Sequence, residues 1–431
     1  MESEWAEYLL SDILEHVADN RGRNPKAYFE NGIPVIDNSL ITSDWRIDLT
    51  KSKRFIDSET YHSFIRKYIK EDDVLITLVG NGYGQVAITP KEKCVIIQNT
   101  VGLRCNSENS SRYLYYLLKG YRDILMNLNI GAAQPSIKVG NLLELSFTFP
   151  PLSEQKAIAH ILGSLDDKIE LNRKMNVTLE QIAQALFKSW FVDFDPVIDN
   201  AIIAGNEIPE ELTERAEVRR KALADGTANR ESAGQFPDAF RLTEEMGWIP
   251  AGWEIRKLSD LLEVKYGKDH KKLSEGSIPV YGSGGFMRYA NKSLYKGESV
   301  LIPRKGTLSN ILFLNEEFWT VDTMFYTIPK SDYIPKYAFH HLKRLDFTSM
   351  NVGSAVPSMT TAVLNELPIL LPTKAVLQQF DFILTSYFDG IEANRTQSTT
   401  LTKLRDTLLP KLLSGELLIP DVEKLVEEVF E

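Results

Sequence analysis

Residue types that carry out chemistry are sparse in this sequence of 431 residues. Its six histidines and two cysteines, Cys94 and Cys105, are scattered, and no spacing typical of metal ligands stands out. His340 and His341 precede a basic pair, and they are predicted to lie on a helix surface rather than to bind a metal. The loop at residues 80–84, GNGYG, is rich in glycine, but no strand and phosphate-binding helix flank it. It predicts either a hairpin or an exposed recognition loop.

Net charge is distributed unevenly along the chain. Of the formal net charge of −10, residues 151–250 carry −7 and residues 373–431 carry −4, whereas residues 1–150 carry −2 and residues 251–372 carry +3. The overall charge steers association but does not decide what a local groove binds. The acidity therefore lowers the case for a nucleic-acid partner without removing it, because the two less acidic segments contain local basic clusters.

Three features of the sequence bear on the compartment. The N-terminus, MESEWAEYLL, is acidic and lacks the basic and apolar segments of a secretory signal. No apolar run approaches the ~20 residues that span a bilayer, and the two cysteines form no CxxC pattern. We expect a cytoplasmic protein whose cysteines are reduced and lie in the core.

The chain contains an internal repeat. A shift of 222 positions lays residues 129–191 over residues 351–413 without a gap. A gapless match of this length indicates a duplicated half-molecule, since two copies are too few for a solenoid. The identical pairs in its helical part are Ile161 and Ile383, Leu162 and Leu384, Ser164 and Ser386, Asp167 and Asp389, Ile169 and Ile391, Glu170 and Glu392, Asn172 and Asn394, Arg173 and Arg395, Leu179 and Leu401, and Leu186 and Leu408.

Both copies of the repeat predict a long helix, the first over Leu152–Phe191. Apolar residues follow the 3–4 spacing of a coiled-coil seam, interrupted by Asn172 in the first copy and Asn394 in the second. An antiparallel pairing of the two helices would bring these polar positions together and help to fix their register. The alternative is two ordinary core helices in separate lobes. The predicted seam residues are Ile158, Leu162, Leu165, Ile169, Leu179 and Leu186, with Phe380, Leu384, Ile391, Leu401 and Leu408.

The remaining sequence divides into two lobes and a connector. Residues 1–150 read as a mixed α/β lobe of short strands rich in β-branched residues, and residues 251–372 repeat its framework with different loops. Residues 151–191 form the first long helix and residues 192–250 a connector, while residues 373–431 form the second helix and an acidic tail. The predicted fold class is α+β: two α/β lobes separated by two long antiparallel helices, with a pseudo-twofold internal repeat.

Three stretches carry a family resemblance: residues 150–197 (PPLSEQKAIAHILGSLDDKIELNRKMNVTLEQIAQALFKSWFVDFDPV), GWIPAGW at residues 247–253, and TLTKLRDTLLPKLLSGEL at residues 400–417. With these motifs the chain resembles the specificity subunit of type I restriction–modification enzymes. The resemblance covers the whole chain in the same order, and the motif at residues 150–197 is highly specific to that family. The lobes match in framework alone.

The resemblance implies a division of labour within a larger complex. The two lobes would be target-recognition domains, each binding one half of a bipartite site in double-stranded DNA, and the paired helices would set the gap between the halves. Two methyltransferase subunits would dock on the chain, mainly through the helices. Two restriction subunits, where the system has them, would translocate and cut unmodified DNA. The methyltransferase subunits would hold S-adenosylmethionine and the restriction subunits ATP and Mg²⁺, so that no cofactor is expected on this chain.

Residues that could contact DNA lie in loops of both lobes. Arg and Lys pair with guanine and Asn and Gln with adenine in the major groove, while Lys, Arg, hydroxyls and backbone N–H groups reach phosphates. Each candidate could equally be an ordinary solvated surface residue. The candidates are Arg21, Arg23, Asn24, Lys26, Lys51, Lys53, Arg54, Asn81, Tyr83 and Gln85 in the first lobe, and Lys268, Lys271, Lys272, Ser283, Arg304, Lys305, Thr307 and Asn310 in the second.

A catalytic centre is not expected in this chain. DFDPV at residues 193–197 is the segment nearest to the Asn/Asp-Pro-Pro-aromatic motif of an adenine methyltransferase, but it lacks the second proline and the aromatic residue. The sequence therefore predicts a non-catalytic recognition subunit. Two alternatives stay open, a self-contained DNA-modifying enzyme and a coiled-coil assembly scaffold that reads no DNA.

Overall fold

The structure is a computed structural model that describes residues 5–22, 24–41, 46–80, 82–130, 135–350, 358–420 and 422. The chain forms two compact units: residues 1–172 with residues 395–431, and residues 173–394. Each unit therefore takes one lobe and a part of each long helix. No helix in the described part of the chain is long and apolar enough to cross a membrane.

Eleven α-helices lie within the described residues, two of them much longer than the rest. Leu152–Phe191 and Lys374–Leu413 each contain 40 residues, which corresponds to a length of about 60 Å. The helices in chain order are α1 Ser58–Ser63, α2 Ser111–Gly120, α3 Arg122–Asn127, α4 Val139–Leu143, α5 Leu152–Phe191, α6 Asp195–Ala204, α7 Thr213–Ala224, α8 Leu258–Leu261, α9 Pro335–Lys343, α10 Thr361–Glu366 and α11 Lys374–Leu413.

Nine strands lie in the described residues of unit 1. An antiparallel sheet has the order β2-β8-β5-β6, a smaller sheet the order β4-β3-β7, and β1 pairs with β9. Helix α2 packs its buried face into the core that this lobe shares with α5 and α11. The strands are β1 Ala6–Leu9, β2 Leu14–Ala18, β3 Ile33–Ile36, β4 Phe55–Ile56, β5 Val74–Thr77, β6 Val86–Ile88, β7 Val95–Ile96, β8 Thr100–Cys105 and β9 Ser146–Phe149.

In unit 2, the part that the structure describes contains ten strands. Its largest sheet has the order β13-β18-β16-β17-β14-β15, and two further pairs are β10 with β11 and β12 with β19. The core behind the sheet also holds Phe187 of α5 and Phe380 of α11. The strands are β10 Phe240–Thr243, β11 Gly247–Pro250, β12 Glu254–Lys257, β13 Leu262–Tyr266, β14 Ile278–Gly282, β15 Gly285–Ala290, β16 Tyr295–Pro303, β17 Leu312–Thr320, β18 Met324–Pro329 and β19 Pro368–Leu371.

The two lobes share one framework. In the first lobe the opening strand pairs antiparallel with the last strand before the long helix, Ala6 opposite Phe149. The second lobe repeats this closure with Glu254 opposite Leu371. The order β2-β8-β5-β6 corresponds to β13-β18-β16-β17, and in each lobe one further strand makes a parallel pair, β3 with β7 and β14 with β17. The predicted α+β class with a duplicated framework is confirmed.

The two long helices pair antiparallel within each unit, as predicted. Leu162 and Leu165 of α5 share a buried core with Leu401 and Leu408 of α11 in unit 1. The corresponding core of unit 2 joins Phe187 of α5 to α11. The other predicted apolar seam residues are also buried or partly buried: Ile158, Ile169, Leu179, Leu186, Phe380, Leu384 and Ile391.

The polar positions in the seam meet across the helix pair. In unit 1, Asn172 Nδ2 donates to Gln397 Oε1 at 2.9 Å and to Ser398 Oγ at 3.3 Å. In unit 2, Asn394 Nδ2 donates to Asn176 Oδ1 at 2.8 Å. The repeat relates Asn172 to Asn394 and Asn176 to Ser398, so each contact is the counterpart of the other. The reading of two unrelated core helices is therefore wrong.

Helix α5 ends at Phe191, as predicted. Three residues later, Phe194 adopts a left-handed conformation with φ of 55°. Pro196 lies in the first turn of α6, where a missing N–H costs nothing.

The connector is more ordered than its composition indicates. Residues 225–237 are rich in Gly, Ser, Ala and Asn, which is typical of a linker, but Phe236 is buried in the core of unit 2. Asn200 of α6 donates from Nδ2 to the carbonyls of Ala233 at 2.8 Å and Phe236 at 3.0 Å. These two bonds fix the segment because they satisfy its backbone acceptors.

The prediction for the two adjacent histidines is wrong. Both belong to α9, but the side chain of His340 is 4% exposed and packs against Phe187 and Phe380. Burial, with a contribution from Lys343, lowers the pKa of His340 to about 3. His341 is half-buried, and burial beside Arg344 lowers its pKa to about 4. A surface position was inferred from the neighbouring Lys343 and Arg344, but the helix turns these cations away from the core.

Candidate nucleic-acid interface

Three loops of the second lobe meet around one recess. They are residues 268–273, the turn between β14 and β15, and residues 304–310. The recess has a volume of about 670 Å³, and its lining includes Asp269, His270 and Lys271 from the first loop and residues 282–287 from the turn. Residues 321–323 complete the lining. The loops that the sequence singled out in this lobe therefore lie together.

The loop at residues 268–273 is held at both ends. Its first backbone N–H, on Lys268, donates to the carbonyl of Thr320 at 2.8 Å, and its first carbonyl accepts from Trp319 Nε1 at 2.8 Å. Arg288 of β15 reaches across from the hairpin, donating from Nη2 to the carbonyls of His270 at 2.5 Å and Leu273 at 3.1 Å. Because hydrogen bonds fix both ends of the loop, its backbone holds the attachment points of the neighbouring lysine side chains in defined positions.

The hairpin turn is held by the third loop. Asn310 Nδ2 donates to the carbonyl of Ser283 at 2.9 Å. Arg304 Nη1 donates to the carbonyl of Asp322 at 3.1 Å, and its guanidinium lies 5.3 Å from the ring centroid of Tyr266. Asn310 and Arg304 thus have structural contacts in the described residues, which leaves them less available for DNA than the exposed lysines.

The structure places the second-lobe candidates as follows. Ser283, Arg304 and Asn310 are half-buried. Exposed side chains belong to Lys268, Lys271, Lys272, Lys305 and Thr307. Lys271 lines the recess together with Asp269 and Asp322, the other exposed lysines lie on the adjoining loops, and the half-buried candidates position those loops.

In the first lobe, Asn20 fixes the start of the loop that carries Arg21, Asn24 and Lys26. Asn20 is buried, and its Nδ2 donates to the carbonyls of Lys67 at 2.8 Å and Ile96 at 3.2 Å. Arg21 donates from Nε and Nη2 to Asp19 at 2.9 and 2.8 Å. This pair holds the pKa of Asp19 below its usual range. Arg21 consequently has a fixed partner within the described part of the lobe.

The other two candidates of this loop are exposed. Asn24 accepts a hydrogen bond from Gln98, and Lys26 extends from the lobe surface. Arg23 lies outside the described residues. The structure therefore leaves Asn24 and Lys26 as the accessible members of the loop.

The second basic segment of the first lobe lies between β3 and β4. Arg54 donates from Nη2 to Asp37 Oδ2 at 2.6 Å and stacks its guanidinium 5.4 Å from the ring centroid of Tyr28. Lys51 is exposed and pairs with Asp48 at 3.0 Å, and Lys53 is exposed. Arg54 therefore shapes the segment, while the two lysines point to solvent.

The glycine-rich loop of the first lobe connects a β-hairpin. Residues 78–85 join β5 to β6, and the backbone N–H of Gly84 donates to the carbonyl of Thr77 at 2.8 Å. Tyr83 is half-buried and packs against the lobe core, and Gln85 is also half-buried. Asn81 lies outside the described residues. Of the two readings of this loop, the hairpin is confirmed.

Sequence reasoning missed three residues around the second-lobe recess. Phe286 and Tyr289 are exposed on β15, and Arg288 holds the hairpin to the lysine loop. Selection by residue type had restricted the candidates to groups that hydrogen-bond or carry charge. The signal available in the sequence was the run Phe286-Met287-Arg288-Tyr289, which places three large apolar or aromatic side chains directly after two glycines.

The segment nearest to a catalytic motif has a structural role. Asp195 of the DFDP segment accepts from Arg215 at 2.7 Å on both carboxylate oxygens. One turn later, Asp199 accepts from Arg219 at 2.8 and 2.6 Å. Both carboxylates are buried, and the two ion pairs fasten α6 to α7.

Two further observations concern reactive groups. Within the described residues, no cluster of three or more His, Cys, Asp or Glu side chains could hold a metal ion. Cys94 and Cys105 are free and buried, as expected, and burial raises the pKa of each thiol to about 12. Both thiols are therefore protonated at neutral pH and poorly nucleophilic.

These features define a duplicated two-lobe protein whose lobes share a framework and differ in their exposed loops. The type I restriction modification DNA specificity domain matches residues 2–181 and 250–403, which together cover most of the chain. The chain therefore belongs to the type I restriction–modification DNA specificity family. Its members are recognition components rather than catalytic ones, and this chain is a specificity subunit of that kind.

Relatives extend over nearly the whole chain. The specificity subunit of type I restriction enzyme HindI from Haemophilus influenzae is 26% identical over 472 residues, covering 96% of this chain and 100% of that protein. The MjaIX specificity subunit from Methanocaldococcus jannaschii is 26% identical over 406 residues, covering 92% and 89%. The crystal structure of the S subunit of a type I restriction–modification system from M. genitalium superposes with a TM-score of 0.59 at 16% identity, covering 95% and 96%. This last likeness concerns the fold.

Proposed function

We propose that the chain selects the DNA site at which a type I restriction–modification complex acts, with each lobe reading one half of a bipartite site. Residues 1–150 and 251–372 are the proposed target-recognition domains, and residues 192–250 connect them. The observation that carries the proposal is one framework presented twice with different loops. Two readers built alike but differing in their exposed side chains would recognise two different sequences.

The paired helices are proposed to serve as the spacer and as the platform for two methyltransferase subunits. The exchange of contacts between Asn172 and Ser398 and between Asn394 and Asn176 supports this role. A repeat whose halves make reciprocal contacts offers equivalent surfaces to two copies of one partner. The methyltransferase subunits would bring S-adenosylmethionine, and two restriction subunits, where present, would bring ATP and Mg²⁺.

The proposed DNA contacts fall into two groups. Exposed lysines, among them Lys271 and Lys272 in the second lobe and Lys51 and Lys53 in the first, are assigned to phosphates. Contacts of that type fix the position of a protein on the duplex but carry no sequence information directly. Sequence would be read by the groups between the lysines, at the recess of the second lobe and beside the segment at residues 37–54 of the first.

The decisive experiment maps the methylated bases. The chain is co-expressed with its methyltransferase partner, and modified adenines are located by long-read sequencing. A split motif with two defined halves and a fixed gap is expected. A single contiguous motif would mean that one lobe alone reads DNA. Methylation by the purified chain on its own would indicate a self-contained enzyme, and a stable complex without methylation would favour an assembly scaffold.

The spacer role predicts a change in gap length without a change in half-site sequence. Seven residues inserted after Asn172 and seven after the repeat-related Asn394 preserve the heptad seam and add about 10.5 Å to each helix. The gap between half-sites should grow by about three base pairs, at ~3.4 Å per base pair. Methylation mapping measures the gap. Altered half-site sequences with an unchanged gap would contradict the spacer role.

A matched control separates length from pairing. Seven residues inserted after Asn172 alone would lengthen one helix and not the other, so that the Asn172–Ser398 and Asn394–Asn176 contacts could not both form between continuous helices. This variant is expected to lose methylation altogether rather than to change the gap. If it instead behaved like the double insertion, the helices would not act as a pair.

A further inference from the structure

The hairpin of strands β14 and β15 projects an exposed apolar surface beside the basic loops of the second lobe. The strands are Ile278–Gly282 and Gly285–Ala290, and Gly285 adopts φ of 107° at the turn. On β15, which lies at one end of the strand order, Phe286 is 53%, Met287 50% and Tyr289 55% exposed. Three large apolar side chains exposed within four residues form the kind of patch that marks a binding site.

The hairpin is built to be rigid. Asn310 holds the carbonyl of Ser283 in the turn, and Arg288 bonds the carbonyls of His270 and Leu273. The rings of Phe286 and Tyr289 lie 4.9 Å apart with an interplanar angle of 57°. Two supported aromatic side chains lose little conformational entropy when a partner covers them.

The charge around the hairpin is complementary to a polyanion. Residues 266–275, 281–292, 304–310 and 321–323 contain seven Lys and Arg residues and three Asp and Glu residues, a formal net charge of +4. The whole chain has a net charge of −10. The exposed apolar residues of β15 are surrounded by basic loops, whereas the protein as a whole is acidic. This charge distribution favours a nucleic acid over a second copy of the same chain as the partner.

We propose that this hairpin enters the major groove of the second half-site and that Phe286 reads a thymine through its C5 methyl group. The inference rests on the function proposed above and identifies a specificity-determining residue within it. A two-stranded β-ribbon fits the major groove, which is ~12 Å wide, and apolar side chains distinguish thymine by its methyl group. Lys271 and Lys272 would then contact the phosphates on the groove edge.

The test uses the complete complex of the chain with its methyltransferase partner and duplexes carrying the mapped bipartite site. Each thymine of the second half-site is replaced in turn by uracil, which removes only the C5 methyl group. The wild-type complex is expected to bind about tenfold more weakly when one particular thymine is replaced, a loss that corresponds to ~1.4 kcal/mol. Fluorescence anisotropy at fixed salt measures the affinity, since salt alone changes it.

The variant Phe286→Ala completes a double-mutant cycle. It is expected to bind the thymine duplex about tenfold more weakly and to lose its sensitivity to uracil at that position, while the first half-site stays unchanged. Leu242→Ala is the matched control, because Leu242 is an exposed apolar residue on a strand of the connector. This control should keep both affinity and uracil sensitivity.

Three outcomes would overturn the proposal. Wild-type binding could be indifferent to uracil at every second-site thymine, or Phe286→Ala could retain the sensitivity. Sedimentation could instead reveal a dimer that Phe286→Ala abolishes while both half-sites stay unchanged, which would assign the patch to a second copy of the chain. If the wild-type complex yields no bipartite motif, the function proposed above fails first, so the two failures are distinguishable.

Discussion

The two lobes differ most at the connection that follows their first parallel strand. In the first lobe, β3 and its antiparallel neighbour β4 are separated by residues 37–54, a segment that carries Lys51, Lys53 and Arg54. In the second lobe, β14 reaches the equivalent neighbour β15 through the two residues Ser283 and Gly284. The framework around both connections is the same, so the difference lies in the connection and in the strand that follows it.

The neighbouring strands differ accordingly. Strand β4 has two residues, of which Ile56 is buried, and a bridge from Phe29 to Phe55 covers its outer side. Strand β15 has six residues and exposes Phe286 and Tyr289. A long basic segment suits backbone contacts, whereas a short apolar hairpin suits insertion into a groove. The comparison shows that one duplicated framework supports two different ways of presenting side chains.

The largest expected effect is a loss of stability in the second lobe with little change in the first. Lys336 of α9 is 4% exposed and binds Glu298 of β16 at 2.6 Å and Asp381 of α11 at 2.9 Å. Lys336→Ala leaves two carboxylates without their cation and should cost about 3 kcal/mol of unfolding free energy. Hydrogen exchange should show lost protection in residues 173–394 with little change in the first lobe.

A surface pair provides the control for this prediction. Lys296→Ala removes a cation from β16, the strand that carries Glu298. Lys296 pairs with Glu317 at 2.9 Å, but the lysine side chain is largely exposed. Its loss should cost less than about 1 kcal/mol because water screens the pair. Equal destabilisation by both variants would show that burial of Lys336 is not what matters.

The second prediction concerns the pH dependence of stability, which should again differ between the two lobes. The folded-state pKa of His340, about 3, lies below its usual value of 6.5, so the unfolded chain binds a proton that the folded chain does not. The contribution of His340 to the free energy of unfolding is fully present above about pH 6.5. It is lost as the pH falls toward 3, by up to ~1.4 kcal/mol per pH unit. Urea unfolding at pH 7, 6 and 5 measures the slope.

His340→Leu should flatten this dependence, because the variant has no proton to gain on unfolding. His62→Leu, at an exposed position of the first lobe, is the control and should leave the slope unchanged. A slope that persists in His340→Leu would assign the pH sensitivity to other groups, among them His341 and the half-buried His16, whose pKa values burial also lowers.

The smallest expected effects come from single lysines at the two surfaces proposed to read DNA. Lys271→Ala and Lys51→Ala each remove a proposed phosphate contact. Each should weaken binding uniformly across sequences and reduce the slope of log K against log salt by about 0.9. Anisotropy titrations at several salt concentrations measure the slope. A change in the recognised sequence instead would show that the lysine reads a base.

Much of the fold was predictable because its signals are local or repeated. The seam of α5 and α11 follows from heptad spacing, and the meeting of Asn172 with Ser398 follows from antiparallel pairing of a repeat. The sequence allowed two interpretations of residues 80–84, a hairpin and an exposed recognition loop, because glycine spacing alone does not distinguish them. The left-handed conformation of Phe194, just beyond the end of α5, could not be predicted, since it carries no signature in composition.

The sequence by itself determined the duplication, the two helices, their register and the basic loops, because periodicity and repetition are properties of residue order. Only the tertiary structure decided which loops surround one recess, that Phe286 and Tyr289 stay exposed beside it, and that His340 is buried. Which side chains are buried and which loops lie together depends on contacts between residues far apart in the chain. Residue type constrains such contacts weakly, so an aromatic side chain on a strand can face the core or the DNA.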